Sequence, residues 1–196
     1  MSIISMRIKT HLRNACCHTL SWVLIAVLLS GCAVSNARPP TDAEAVLTAM
    51  LTSAPDAPVG ITRIRTAIGH GEPTASDLND TLFAALYGTN CLSWFEPITQ
   101  PDGTIGSPIV DDAAIYLSTV QHPFELAVFR CTNSTGTIAA AKQCSRRLDG
   151  IRQAWRGSDE EVYAGRGCVE VVDNYVLLVV ASDPEAVLDA ARQIIK

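Results

Sequence analysis

The chain has 196 residues, 48% of them hydrophobic and 18% charged, which excludes a disordered segment and suits one domain of ordinary size behind a short leader. Its formal net charge is −5, and because the basic Arg7, Lys9 and Arg13 fall in the leader, the remainder is more acidic still. An acidic body lacks the positive field that phosphate neutralisation needs, so the balance argues against nucleic acid as a partner.

The three basic residues are followed by an apolar run, Leu20 to Leu29, which Ser30-Gly31-Cys32 closes. A spanning helix needs about 20 apolar residues, roughly twice this run, so the pattern predicts a leader rather than a permanent span. Leu29-Ser30-Gly31-Cys32 resembles the bacterial lipobox, in which a branched apolar residue and two small ones precede an obligatory cysteine. That resemblance implies a diacylglyceryl thioether on Cys32 and cleavage just before it. Residues 1–31 are then a signal peptide, and residues 32–41, with Pro39-Pro40 near their end, a lipidated tether. Each buried acyl methylene contributes about 0.8 kcal/mol, so two chains suffice to hold a protein on the extracytoplasmic face of a cell membrane.

Residues 42–196 are expected to form a single α+β domain. Thr41-Asp42-Ala43-Glu44 has the form of a capping box, and Val46, Leu47, Met50 and Leu51 share a helical face, predicting a helix over about 42–52. Residues 59–73 carry no decisive period. Ser76 is placed to cap a second helix through Tyr87, with Leu78, Leu82, Ala85 and Leu86 as its buried stripe and Gly88 as its stop. Cys91 to Asp112, with the Pro101-Asp102-Gly103 turn signal, reads as a long loop that has room for a small hairpin.

Ile115-Tyr116-Leu117 and Leu126-Ala127-Val128-Phe129 predict a hairpin turning around Gln121-His122-Pro123. A helix follows over about 136–155, its apolar stripe running through Ile138, Ala141, Cys144 or Ser145, Leu148, Ile151 and Trp155. Val169 to Val172 and Tyr175 to Ala181 predict a second hairpin, and the unbroken apolar run of the latter suits a central strand covered on both faces. Ser182-Asp183-Pro184-Glu185 then opens a last helix lined by Val187, Leu188, Ala191, Ile194 and Ile195. Two hairpins, each followed by a helix, predict an antiparallel sheet of about four strands in a two-layer α+β domain with additional N-terminal helices.

Leu86-Tyr87-Gly88, the Glu125-Leu126-Ala127-Val128-Phe129 strand, and Asp173-Asn174-Tyr175-Val176-Leu177-Leu178-Val179-Val180 with Ser182-Asp183-Pro184-Glu185 resemble, in the same order, small lipoproteins of Gram-positive bacteria defined by a domain of unknown function. The resemblance spans roughly Asp42 to Ile195. It implies the lipobox leader, an extracytoplasmic location and a shared fold, and it transfers no catalytic residue. Four cysteines in the body and the Pro/Gly-rich stretch from Pro97 to Pro108 depart from that pattern.

Of the seven cysteines, Cys16 and Cys17 leave with the leader and Cys32 is the lipid site. Cys91, Cys131, Cys144 and Cys168 remain, either as thiols packed like small hydrophobes or as one or two disulfides; no C-x-x-C pair suggests zinc. His70 and His122 are the body's two histidines. Gly69-His70-Gly71-Glu72 offers too few ligands for a closed metal site, and His122 lacks a local signature pairing it with a thiol as a nucleophile and base. Asp111-Asp112 reads as a polar strand entry, with a hard-cation site as the alternative. Trp94 and Phe95 either fold back onto the core or form an exposed partner-binding pair. Lys142, Arg146, Arg147, Arg152 and Arg156 concentrate positive charge on one helix, as a solvated face or a patch facing an anionic polymer or lipid surface.

No cofactor, metal site or catalytic set is implied. The expected role is a non-enzymatic module at the cell envelope, attached to the membrane through its lipid and engaging an envelope protein or polymer. A small-ligand-binding lipoprotein is the alternative, and an envelope hydrolase the third reading.

Overall fold

The computed structural model describes residues 41–67 and 78–196. The leader with Leu29, Ser30, Gly31 and Cys32, the tether up to Pro40, the Gly69-His70-Gly71-Glu72 segment and Ser76 lie outside the described residues.

Helix α1 (Ala43–Thr52) is capped by Asp42, whose carboxylate accepts from Ala45 N at 2.7 Å. The cap therefore sits one residue later than the capping box predicts, because aspartate is as good a cap as threonine. Thr41 instead donates its hydroxyl to the Ile194 carbonyl at 3.2 Å. Strand β1 (Gly60–Thr66) follows, from the segment without a decisive period. Helix α2 (Asp80–Tyr87) starts at Asn79, whose side chain accepts from Leu82 N at 2.9 Å, and ends at Gly88, whose φ of 92° favours glycine. Its buried residues are Phe83 and Tyr87, not Ala85, which is exposed. The leucine row and the aromatic row both step by four and lie one residue apart, and the bulkier row takes the core.

A 3₁₀ turn (Thr89–Phe95) buries Cys91, Trp94 and Phe95. The loop beyond it contains a two-residue hairpin, β2 (Ile98–Thr99) and β3 (Ile105–Gly106), before the long strand β4 (Val110–Ser118). Strand β5 (Glu125–Cys131), helix α3 (Ser134–Ala154), the short α4 (Glu161–Arg166), strands β6 (Cys168–Val172) and β7 (Tyr175–Val180), and helix α5 (Pro184–Ile195) complete the chain.

The antiparallel sheet has five strands in the order β1-β4-β5-β7-β6, one more than expected because β1 joins the edge of β4. It is covered on both faces, which makes three layers where two were expected. Phe129, Val176 and Leu178 point into a core shared with α2, the 3₁₀ turn and α3. Their alternates Val128, Leu177 and Val179 point into a second core with α1 and α5. All six residues of β7 are buried, as the unbroken apolar run requires. Among the described residues, no helix is long and apolar enough to cross a membrane.

The sheet has two distinct ends. At one, the start of β4, the finish of β5 and the start of β7 meet the point where the chain enters the fold. Arg130 and Tyr175 both donate to the Thr41 carbonyl, and Asp112 accepts from Ala43 N at 2.7 Å. At the other end, β4 finishes at Ser118, β5 begins at Glu125 and α3 arrives at Trp155. Strands of seven and nine residues separate the two ends, roughly 20 to 30 Å at about 3.3 Å per residue.

Candidate functional site

The finish of β4, the loop after it and the last turns of α3 enclose a cleft of about 110 Å³. Leu117, Phe124, Ile151 and Trp155 supply its apolar wall, and His122, Glu125 and Arg147 its polar groups. None of the four body cysteines lines it.

Glu125 opens β5 on the face that α3 covers, and is 3% exposed. An ionised carboxylate at that depth requires a cation and further hydrogen bonds. Arg147 supplies the cation: its Nη2 lies 2.6 Å and its Nε 3.1 Å from Glu125 Oε2, a two-pronged contact from the middle of α3. Tyr87 donates its hydroxyl to Oε1 at 3.3 Å, and Gln143 of α3 donates to the Tyr87 carbonyl. Burial works against the Arg147 charge, but the Glu125 carboxylate outweighs it and holds the guanidinium above its ordinary value. Burial, reinforced by the Glu125 charge, pushes the Tyr87 hydroxyl well up, so it stays a donor.

His122 accepts from Phe124 N through Nδ1 at 3.2 Å, which leaves the ring proton on Nε2. Nε2 lies 3.6 Å from Glu160 Oε2, and the ring packs edge-on against Tyr163 at 4.5 Å between centroids. Its hydrogen-bond partner is thus backbone, and no thiol meets it.

The four thiols are free. Cys91, Cys131 and Cys144 are fully buried in the α3-side core. Burial pushes Cys91 up to about 11 and Cys131 up to about 12, and Cys144 well above its ordinary value. Thiols held protonated in this way pack as small hydrophobes and are poor nucleophiles. Cys168, on the edge strand β6, is half-buried, and burial raises it too.

Asp111 and Asp112 are spent on the fold: Asp111 pairs with Arg130 at 2.9 Å, and Asp112 holds Ala43 N. Trp94 and Phe95 fold back onto the core, at 6% and 1% exposure. The five cations expected on one helix do not share a face. Lys142 and Arg146 are exposed one turn apart, whereas Arg147, about 100° further round, turns inward to Glu125. Arg152 reaches back to the Gly167 carbonyl at 2.7 Å, and Arg156 lies beyond the helix end. Among the described residues, no three His, Cys, Asp or Glu side chains stand close enough together to hold a metal ion.

The Glu125–Arg147 pair was not anticipated. Its signal is a lone acid inside the apolar run Phe124 to Phe129, which a covered strand tolerates only with a partner. Comparison of the chain with protein-family models, with curated proteins and with solved structures found no match.

Proposed function

We propose that the chain is an exported lipoprotein, anchored through an acylated Cys32 on the extracytoplasmic face of a cell membrane, whose α+β body acts as a non-enzymatic interaction or accessory module of the envelope. The observation that carries this reading is the apolar run Leu20 to Leu29 ending on Leu29-Ser30-Gly31-Cys32, a few residues before a compact body begins. Supporting it are the resemblance to small lipoproteins of Gram-positive bacteria and the protonated, buried state of three body thiols. The cleft between β4, β5 and α3 favours a second reading, in which the body binds a small ligand.

The anchoring is tested by expressing the chain in a bacterial host fed an alkyne-tagged fatty acid. The label is expected on the protein in the membrane fraction, and Cys32→Ser is expected to lose both label and processing. A Cys32→Ser product still cut before residue 32 and still membrane-bound would overturn the reading.

A further inference from the structure

The polar groups of the cleft are unevenly spent. Glu125 already accepts from Arg147 and Tyr87 with its two oxygens. Arg147 carries five N–H donors, and only those on Nε and Nη2 meet Glu125; Nη1 has no acceptor among the described residues. His122 keeps a proton on Nε2, whose nearest carboxylate, Glu160, stands at 3.6 Å, beyond hydrogen-bond reach. Ser118 donates its hydroxyl to Val120 O and is unavailable. The side chains lining the cleft are therefore left with donors, from a guanidinium and an imidazole, beside the apolar surfaces of Ile151 and Trp155.

We propose that this cleft binds a short monocarboxylate, with the carboxylate on Arg147 Nη1 and His122 Nε2 and the hydrocarbon against Ile151 and Trp155. The inference rests on the second, ligand-binding reading of the same cleft and deepens it. A planar oxyanion matches the guanidinium edge. Glu125 lines the site and Glu160 stands beside His122, which disfavours a dianion, and the volume of about 110 Å³ suits a tail of a few carbons. A ligand amine is not favoured, because the Glu125 oxygens are occupied and Glu160 is not part of the cleft lining.

The test uses the intact protein in detergent, titrated with sodium butyrate and followed by the Trp155 indole N–H resonance, which Trp155→Phe assigns. Saturable binding of butyrate is expected, with butanamide and butylamine weaker by roughly tenfold, the worth of a hydrogen bond to a charged group. His122→Asn, whose amide oxygen replaces the Nδ1 acceptor, is expected to weaken butyrate while leaving the melting temperature unchanged. Glu125→Gln removes the carboxylate that competes for Arg147 and is expected to strengthen it. Equal binding of butyrate and butanamide, tighter binding of butylamine, no saturable binding of any of the three, or weaker butyrate binding by a folded Glu125→Gln protein would each overturn the proposal. None of these outcomes touches the anchoring, which is read at Cys32 alone.

Discussion

At the scale of single residues, two opposite charges sit where water hardly reaches. Glu125 has a side chain 4% exposed and Arg147 one 26% exposed, so removing either partner leaves the other charge stranded in a poorly solvated site. Arg147→Met is expected to cost about 3 kcal/mol, the lower end for breaking a buried pair, since the arginine keeps some contact with solvent. Adding Glu125→Gln to that variant is expected to recover more than half of the loss, because the amide still accepts from Tyr87 and carries no charge. Urea unfolding of the two proteins measures both effects, and no recovery in the double variant would show that packing rather than charge dominates. Asp112 gives a second, pH-dependent consequence. Burial raises its carboxyl above the ordinary value of 3.8, despite the opposing pull of Ala43 N and Arg130. A group whose pKa is raised on folding stabilises most while protonated, and that contribution fades as pH climbs through the folded value. Relative to the natural chain, Asp112→Asn should therefore gain stability as pH rises above the ordinary carboxyl value of 3.8, as denaturation midpoints across that range would show. A relative loss over the same range would contradict the burial argument.

At the scale of elements, the pattern of apolar residues reveals most where burial is complete and least where it is partial. Strand β7 is legible because six consecutive apolar residues admit little but a covered strand. Helix α5 is equally plain: Asp183 caps Ala186 N at 3.2 Å and Pro184 opens the first turn. Strand β1 escapes notice because six of its seven residues are half-buried, so no alternation marks this edge strand. The start of α3 misleads in a related way. Ile138 suggests an apolar stripe, yet it is 71% exposed, while Gly136, Thr137 and Ala140 take the buried side. The cause is close approach. A Cβ added at Gly136 would stand 2.8 Å from the Ile109 carbonyl oxygen, so the helix needs small residues there. Gly136→Ala is accordingly expected to destabilise by about 1 to 3 kcal/mol through overpacking, although alanine is the better helix former. Gly150, in the same helix with nothing within 4 Å of the added carbon, is expected to show the opposite sign: Gly150→Ala stabilises by about 1 kcal/mol. Thermal unfolding of the pair separates crowding from propensity, and equal shifts in the same direction would count against this packing. The candidate cleft was half legible. His122 stands out as one of two body histidines, but Arg147 looks like any other cation on α3 until the helix is turned against Glu125.

At the scale of the molecule, the body is gripped where the chain enters it. The Thr41 carbonyl receives two side-chain donors, from Arg130 and Tyr175, and Ala43 N is held by Asp112, so three central strands fix the first residues of the domain. The cleft lies at the opposite end of those strands, which leaves it free of the entry point. Such an arrangement ties the first described residues to the sheet and puts the cleft at the far end of the strands from them. The most direct measurement is the intact mass, with N-terminal fragmentation, of the protein extracted from bacterial membranes. The expected product is a chain that begins at Cys32 and carries a diacylglyceryl group on its sulfur. A membrane-extracted chain that retains residues 1–31, or one that starts elsewhere with an unmodified Cys32, would contradict the proposed anchoring.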